Sequence, residues 1–378
     1  MVTLNLISYF TKMFLKFTGI KYGIMTALGR DAIFFAIASL NLKKDAEIMI
    51  PAFSSKHVLE PILYFKLKPI LIDIDPETLN INPDLIEEKI TNKTKVIIAH
   101  HTYGFPLNVK KIRKICDDNN IIFIEDCAQA LGCQIDNNMA GKYGDISVFS
   151  LTKNMVNFEG GMICTDNEHM FRKIVQYIND YYCQLKHNSL KKVIYMRFKK
   201  IRASLYSAYG YRNNFIEKVI KKYKKYKKNS LKPYNPIFRP TWFSALISII
   251  QLTKLMQLNI KRIKNARMFN DILKNINGVR CPGILENDIF GSPLYLPFFC
   301  DNYEIKKRIK SRFDRFKMNL LIEPWKAVSM MPQFKKQRCP RAENVSKSIL
   351  ILPNSPRFNK RYLIKIATII RESINAKA

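Results

Sequence analysis

Three features that would each define a class of protein are missing from this sequence. The eight cysteines form no CxxC pair and no zinc-type spacing, and they lie in apolar segments where a reduced cysteine behaves as a small hydrophobic residue. No apolar run reaches 18 residues, which argues against a membrane-spanning helix. Lys12 and Lys16 interrupt the N-terminal stretch that a signal peptide would keep apolar. These absences predict a cytoplasmic protein with reduced thiols and without a metal centre.

Acidic residues are scarce as well. The chain has 30 Asp and Glu against 63 Lys and Arg, a formal net charge of +33 at pH 7. The excess is concentrated in residues 186–228, which hold fifteen basic residues and a single acid, Glu217. Tyrosines and phenylalanines lie between the basic residues. Such a segment fits a solvated helical face, a peripheral surface that contacts an anionic membrane, or a nucleic-acid groove, in falling order of preference. Nucleic acid is therefore the partner we expect least.

The first half of the chain alternates short apolar runs with amphipathic segments. Strands are predicted at 47–50, 69–73, 95–99, 121–125, 145–151 and 161–165, and helices at 29–40, 54–66, 83–90 and 107–118. Short buried strands between amphipathic helices indicate an α/β fold, with a mostly parallel sheet sandwiched by helices.

The second half has a different pattern, which indicates a second domain. Residues 242–264 predict one long amphipathic helix after three prolines, and the chain closes with a helix at 359–375. We expect a large domain over residues 1–235, with a basic helical insertion at about 186–228. A smaller α+β domain is expected over residues 236–378.

Functional residues in an open parallel sheet gather at the carboxyl ends of its strands. That rule selects four segments, which the fold is expected to bring to one edge: Pro51–His57, His101–Gly104, Asp126–Gln129 and Ser150–Lys153.

The run SVFSLTKNMVNFEGG (147–161) holds one lysine, Lys153, among apolar and small residues. A strand that ends in serine and runs on to a Gly-Gly pair places the intervening side chains at a site, because glycines let backbone or a ligand approach closely. We expect Lys153 to be buried at such a site. The alternative, which this run taken alone favours, is a lysine that lays its stem on the core and keeps its ammonium group in water.

An acid, a serine and a lysine at one sheet edge suit a particular cofactor chemistry. A carboxylate keeps a heteroaromatic nitrogen protonated, an amine attacks an aldehyde, and a helix N-terminus with a hydroxyl binds phosphate. Those are the requirements of pyridoxal 5'-phosphate (PLP).

Longer motifs carry a family resemblance. The segments IEDCAQALG, GKYGDISVFSLTKN and FEGGMICT resemble the core of the DegT/DnrJ/EryC1/StrS family of sugar aminotransferases, and LGRDAIFFAIASL, IPAFSSKHVLEPIL and TKVIIAHHTYGFPLNVKKI precede them in the family's order. QLTKLMQLNIKRIKNA and LPNSP resemble later family elements. The resemblance implies a fold-type-I PLP-dependent transferase, with a mostly parallel seven-stranded sheet in the large domain.

The resemblance also implies roles for three residues at the cofactor ring. Lys153 would bind the cofactor covalently and then transfer protons, Asp126 would pair with the ring nitrogen, and Gln129 would contact the region of the ring hydroxyl. The local pattern leaves two alternatives, because Asp126 could cap the following turn and Gln129 could satisfy backbone groups.

For the cofactor phosphate, the resemblance implies Ser150 together with the backbone amides of Gly29 and Arg30 at a helix start. The alternative for Ser150 is an ordinary strand hydroxyl. Two residues separate this serine from Lys153, which resembles a subgroup with an S-L-x-K pattern rather than the longer SFHxTKN of many members.

The family stacks an aromatic ring on the cofactor from the segment after the Pro-containing strand end. In PAFSSKHV the candidates are Phe53 and His57, whereas the usual register falls on Ser55. The sequence therefore does not assign the stacking residue.

Substrate contacts are less well marked. IFRPTWFSALIS keeps Arg239 but has Ile237 where the family has an asparagine that reaches the phosphate in the partner subunit. Arg239 and His101 are the weaker candidates for substrate contact. A histidine at a strand end is also commonly structural, and Tyr103 and Gly104 are expected to set the turn.

The resemblance implies an aminotransferase that moves an amino group, from glutamate by expectation, to a nucleotide-linked keto sugar in polysaccharide or glycoconjugate biosynthesis. Family dehydratases have histidine in place of the lysine, so Lys153 favours transamination. A homodimer is implied, with active sites at the subunit interface. The alternative is a catalytically altered member that binds membrane or nucleic acid, or acts as a regulator, through residues 186–228.

Overall fold

Short apolar runs form the strands and amphipathic runs form the helices. The computed structural model describes residues 2–184, 236, 239–283, 291–315, 321–322 and 324–375. The basic segment 186–228, with its expected helical insertion, lies outside the described residues. The helices are α1 (Val2–Thr18), α2 (Gly29–Ser39), α3 (Lys56–Tyr64), α4 (Val109–Asp118), α5 (Glu168–Gln184), α6 (Trp242–Leu252), α7 (Leu255–Leu273), α8 (Tyr303–Arg315), α9 (Pro340–Ser348) and α10 (Lys360–Asn375).

The strands form one large sheet, one small sheet and a short hairpin. They are β1 (Tyr22–Thr26), β2 (Glu47–Pro51), β3 (Lys68–Ile72), β4 (Thr94–His100), β5 (Ile122–Asp126), β6 (Gln134–Ile135), β7 (Asn138–Met139), β8 (Ile146–Ser150), β9 (Gly161–Thr165), β10 (Val279–Arg280), β11 (Tyr295–Cys300) and β12 (Ile349–Pro353). The large sheet has seven strands in the order β1-β9-β8-β5-β4-β2-β3. Strands β3, β2, β4, β5 and β8 run parallel. Strand β9 pairs antiparallel with both β8 and β1, so β1 runs in the same direction as the parallel strands. The mostly parallel seven-stranded sheet is therefore confirmed.

Alternate strand residues face two different cores, because side chains in a strand point to opposite faces with a period of two. Ile98, Ile124 and Val148 lie in the core that contains α2 and α5. Ile97 and Phe123 lie in the core that contains α4. The functional strand ends at 100, 126 and 150 share the parity of the first set, so they project on the side of α2.

The C-terminal unit is built on the antiparallel sheet β10-β11-β12. Helices α7, α8 and α10 cover it and contribute Phe269, Phe313 and Ile366, all fully buried. The same apolar core continues into the α2 side of the large sheet, so a single core joins the two units.

Two predicted helices differ in the structure. Residues 83–90 form two 3₁₀ turns, Pro83–Leu85 and Glu87–Lys89, instead of one helix. The predicted helix 242–264 breaks into α6 and α7, which meet at 63°. The break has a packing cause, because α6 packs against α1 whereas α7 continues into the C-terminal unit, and one straight helix could not contact both.

The same packing bears on the boundary expected at residue 236. Ala245 and Leu252 of α6 lie in one core with Phe10 and Phe14 of α1. Residues after 236 thus complete the large unit before the chain enters the small one. Among the described helices, none alone is long and apolar enough to cross a membrane, and only the bent pair α6–α7 together meets that length and composition.

Candidate active site

A cavity of about 250 Å³ opens at the carboxyl edge of the large sheet, beside the first turn of α2. All four strand-end segments selected from the sequence contribute to its wall. The lining residues include Gly29, Arg30, Ser55, His57, His100, His101, Asp126, Gln129, Ser150, Thr152, Lys153 and Trp325. The structure therefore brings together every predicted cofactor residue, and His101 with them.

Asp126 ends strand β5 and is 5% exposed. Its Oδ1 accepts a hydrogen bond from the backbone N–H of Ala128 at 2.9 Å, so it does cap the following turn. Burial nevertheless raises the pKa of this carboxyl to about 6, although the Ala128 amide, His101 and Lys153 oppose that rise. A buried carboxylate with so little compensation is suited to a cationic partner, such as a protonated ring nitrogen.

Gln129 lies on the turn that follows, and it is buried. Its Oε1 accepts a hydrogen bond from the backbone N–H of Tyr103 at 2.8 Å. Tyr103 and Gly104 both have positive φ, 58° and 90°, which confirms that they set this turn. Gln129 thus satisfies a backbone group and lines the cavity at the same time.

Both ring nitrogens of His101 form hydrogen bonds. Its Nδ1 accepts from the backbone N–H of Leu107 at 3.2 Å, so the ring proton lies on Nε2, which donates to Glu125 Oε1 at 3.0 Å. Glu125 also accepts from the backbone amides of Gly141, Tyr143 and Gly144. Cys127 lies within ligand distance of this pair, but the same atoms are already engaged in hydrogen bonds, as expected of a structural network.

His100 and Trp325 also line the cavity, and the sequence did not single out either as a site residue. The Thr102 hydroxyl donates to Leu79 O, so it accepts from His100 Nδ1, which leaves His100 Nε2 buried without a hydrogen-bond partner among the described residues. Burial lowers the pKa of His100 to about 3, so the ring is neutral at physiological pH. The Trp325 ring packs edge-on against His100 at 5.2 Å.

Ser150 faces the start of α2. A Cβ added to Gly29 would come within 2.8 Å of the Ser150 Cβ, so glycine is needed for this close approach. Leu28, at the N-cap of α2, offers no capping side chain, and the hydroxyls of Ser150 and Thr152 lie 3.1 Å apart beside it. A helix N-terminus whose cap residue makes no side-chain hydrogen bond, together with two hydroxyls, forms a cradle suited to phosphate.

Lys153 lies in the turn after β8, at the mouth of the cavity, and its side chain is exposed. The expectation that it is buried was wrong in this chain. The physical reason is its place past the strand end, where an ammonium group keeps its water instead of being desolvated without a partner. The Gly-Gly pair does allow close approach, because a Cβ on Gly161 would lie 2.7 Å from the Gly29 nitrogen.

The other candidates occupy different places. Ser55 caps α3 by accepting from the His57 amide at 3.3 Å, and both residues line the cavity. Phe53 is fully buried and packs against the Trp325 ring at 5.7 Å. Arg239 lies over the ring of Tyr182 at 4.6 Å and does not line this cavity.

The fold is that of the fold-type-I PLP-dependent transferases, and the residues present fit the cofactor in two respects. The Gly29–Ser150 approach leaves a cradle that a Cβ would fill, and Asp126 offers a poorly compensated buried carboxylate. The model of the DegT/DnrJ/EryC1/StrS aminotransferase family matches residues 4–371. The chain belongs to this family.

Curated relatives include two enzymes that act on nucleotide-linked sugars. The chain is 31% identical to GDP-perosamine synthase of Escherichia coli O157:H7 over 175 residues, which are 46% of this chain and 48% of that protein. It is 30% identical to GDP-4-keto-6-deoxy-D-mannose 3-dehydratase of Escherichia coli O55:H7 (strain CB9615 / EPEC) over 277 residues, 71% of this chain and 65% of that protein. The matched segments span less than two thirds of the length of these relatives.

Solved structures agree over nearly the whole chain. PseC of Helicobacter pylori, an aminotransferase involved in the biosynthesis of pseudoaminic acid, superposes with a TM-score of 0.76 at 18% identity, covering 98% of this chain and 91% of that one. GDP-4-keto-6-deoxymannose-3-dehydratase with a trapped PLP-glutamate geminal diamine superposes with a TM-score of 0.73 at 24% identity, covering 97% and 92%. These likenesses establish the fold.

Proposed function

We propose that this protein is a PLP-dependent aminotransferase that transfers an amino group from glutamate to a nucleotide-linked keto sugar. The observation that carries the proposal is a single cavity that holds a lysine, a buried carboxylate and a phosphate cradle. Each of the three matches one functional part of the cofactor: its aldehyde, its ring nitrogen and its phosphate.

Different residues of the cavity would hold different parts of the cofactor. The first turn of α2, with Gly29, Ser150 and Thr152, would bind the phosphate. Asp126 would keep the ring nitrogen protonated, and the cation gained there would compensate its own burial. When bound, the cofactor supplies an electron sink for the carbon that loses a proton.

Lys153 would act as the amine that holds the cofactor and as the base that moves the proton. Because Lys153 lines the cavity, its Nζ would be available there to hold the cofactor and to carry a proton. The chain after it is well anchored, because Gln251 bonds both the N–H and the C=O of Val156, at 2.7 and 2.9 Å. The lysine thus combines an exposed side chain with a hydrogen-bonded backbone, which suits proton transfer between two positions.

The presence of Lys153 separates transamination from dehydration. Relatives of both kinds are similar to this chain, but a histidine cannot carry the cofactor covalently as a lysine amine does. The names of the relatives support a nucleotide-linked sugar as acceptor, and a structure that traps glutamate on PLP supports glutamate as donor. The formal charge of +33 suits an anionic substrate.

We further propose a homodimer. Val156, Trp242, Phe243 and Ile250 are exposed at 58, 44, 45 and 59%, and they lie on α6 and the loop after Lys153. Large exposed apolar side chains grouped beside a site are typical of an interface. Contact of residues 186–228 with an anionic membrane, and a cytoplasmic location, stay predictions.

The deciding experiment is the visible absorbance of the purified chain with PLP, before and after borohydride, followed by peptide mapping. We expect a reducible band with the label on Lys153, loss of the band in Lys153→Ala, and its retention in Lys173→Ala, which removes an exposed lysine of α5. Glutamate should then be converted to 2-oxoglutarate by the wild type. Absence of the band at saturating PLP would contradict the proposal and favour the binding or regulatory alternative.

A further inference from the structure

A second cavity, of about 600 Å³, lies on the other side of Lys153. Its wall combines the loop after the lysine, the middle of α7 and the segment that follows β12. Lys153 lines both cavities, so a molecule in the second one would lie beside the amine that the proposed reaction uses.

Three basic residues line this cavity: Lys153 and Arg357 are exposed, whereas Arg262 is 8% exposed and is the buried one. Its Nη1 donates to Asn259 Oδ1 at 2.8 Å, and its Nη2 donates to the backbone carbonyl of Asn154 at 3.1 Å. Its Nε is buried without a hydrogen-bond partner, and the described part of the chain provides no acidic side chain in ion-pair contact with it. Burial lowers the pKa of Arg262 to about 10, which still leaves the guanidinium charged at neutral pH.

Two asparagines of the same wall also have unused hydrogen-bonding groups. Asn154 is 1% exposed, and neither its Oδ1 nor its Nδ2 has a partner among the described residues. Asn354 donates to the carbonyls of Arg262 and Pro293 at 2.8 and 2.9 Å, while its Oδ1 is likewise unpaired. Buried polar groups are normally paired, so a cluster of unpaired ones beside an uncompensated cation indicates a ligand site.

The chemistry of these groups defines what would bind. A buried guanidinium with a free N–H favours an oxyanion, and a neighbouring amide N–H adds a second donor. The unpaired amide oxygens accept from hydroxyl or ammonium groups of the same ligand. We propose that this cavity is the oxyanion subsite of the substrate, with Arg262 as its buried charged residue and Asn154 as its neutral donor.

This inference deepens the proposed function and rests on it for the identity of the substrate. Two parts of that substrate pair carry an oxyanion: the carboxylates of the amino donor and the diphosphate of the nucleotide sugar. Glutarate reproduces the first without a reactive amine, and inorganic pyrophosphate reproduces the second.

The test measures binding of glutarate and of pyrophosphate by calorimetry, on the full chain with and without PLP, in the wild type and in Arg262→Gln. We expect the variant to lose about ten- to a hundredfold in affinity for one of the two anions, because a charge-assisted hydrogen bond is removed. Loss for glutarate assigns the subsite to the donor, and loss for pyrophosphate assigns it to the nucleotide sugar. The matched control is Lys264→Gln, which removes the same charge from an exposed position on α7 and should leave both affinities within about twofold.

A purely structural role for Arg262 is tested by thermal unfolding of the same samples. Such a role lowers Tm but leaves the affinity of the folded protein for the anions unchanged, and that result would overturn the proposal. Equal losses of affinity in Arg262→Gln and Lys264→Gln would also overturn it. So would the absence of binding of either anion to the wild type. If Arg262→Gln does not fold, Asn154→Asp takes its place in the anion-binding measurement. It adds a carboxylate of almost the same shape to the wall and should weaken the same anion by a similar factor.

Failure of this inference and failure of the proposed function give different results. A reducible band on Lys153 with anion binding that does not depend on Arg262 removes the subsite but leaves the aminotransferase. Loss of anion binding in Arg262→Gln, without any band in the wild type, keeps the subsite but removes the aminotransferase.

Discussion

The Nε2 atom of His101 donates to Oε1 of Glu125 at 3.0 Å, and neither side chain is exposed. The same carboxylate accepts from the amides of Gly141, Tyr143 and Gly144. One charge therefore joins the end of β4, strand β5 and the loop before β8, and His101 of this network lines the candidate active site. Such a fully satisfied network fixes its members more tightly than the separate hydrogen bonds would.

The first prediction concerns Glu125. Burial pushes its pKa upward, but the hydrogen bonds from His101 and from the backbone amides outweigh burial and lower the pKa. Its stabilising contribution is therefore complete above the unfolded pKa of about 4.3, and it is lost as pH falls through the lower folded pKa. Glu125→Gln should lose about 2–4 kcal/mol at pH 7, because the backbone donors lose a charged acceptor.

Urea unfolding at pH 7 and near pH 3 measures this loss, which should shrink at the lower pH. Glu168→Gln, which removes an exposed partner of Arg172, should change stability by less than about 0.5 kcal/mol. An equal loss from Glu125→Gln at both pH values would show that the charge is not involved.

The second prediction concerns Asp126, whose substitution should raise the stability of the protein, whereas substitution of Glu125 should lower it. Burial raises the pKa of Asp126 to about 6, so ionised Asp126 destabilises the cofactor-free protein above that pH. Asp126→Asn should stabilise this form by about 2–3 kcal/mol at pH 7. The difference should fade as pH falls from 6 toward 4, where the wild-type carboxyl is protonated when folded.

Urea unfolding without PLP tests this second prediction. The matched control is Asp145→Asn, which should destabilise, because Asp145 accepts from Arg113 and from the Phe123 amide at 2.8 and 2.7 Å. If Asp126→Asn is no more stable than the wild type, its carboxylate is better compensated than the structure indicates.

The third prediction concerns the phosphate cradle. Gly29→Ala places a Cβ 2.8 Å from the Ser150 Cβ, so either α2 or the strand end must move. Affinity for PLP should fall about tenfold or more, since contacts with a charged group are lost. Pyridoxal, which lacks the phosphate, is the control ligand and should bind both proteins alike. A similar loss for both ligands in absorbance titrations would place the phosphate elsewhere.

The fourth prediction concerns assembly. We expect a dimer in sedimentation experiments, and Ile250→Glu should shift it to monomer, because a charge would be desolvated on the apolar face of α6. Ile364→Glu is the matched control, since this isoleucine is 44% exposed on α10 and lies outside that face. A monomeric wild type, or equal effects of the two substitutions, would argue against an interface on α6.

Six of the seven strands of the large sheet and the position of its functional edge were predictable from local patterns, whereas β1 was not predicted from pattern and the number seven came from the family resemblance. A buried strand is a short apolar run, and the polar residue at its end is adjacent in the chain, as with Asp126 after IIFIE. Residues 83–90 and the break between α6 and α7 were not predictable in this way, since helical periodicity does not say what each face packs against.

The sequence by itself selected the candidate cofactor residues, since Asp126, Ser150 and Lys153 stand in local motifs whose proposed chemistry depends on residue type and spacing. Only the tertiary structure decided that Lys153 stands at the cavity mouth instead of in the core, and that Trp325 and Arg262 reach the same region from the second half of the chain. The physical reason is that burial and charge compensation are properties of long-range packing. Local pattern specifies neither the neighbours that remove water from a side chain nor the groups that fail to pair with it.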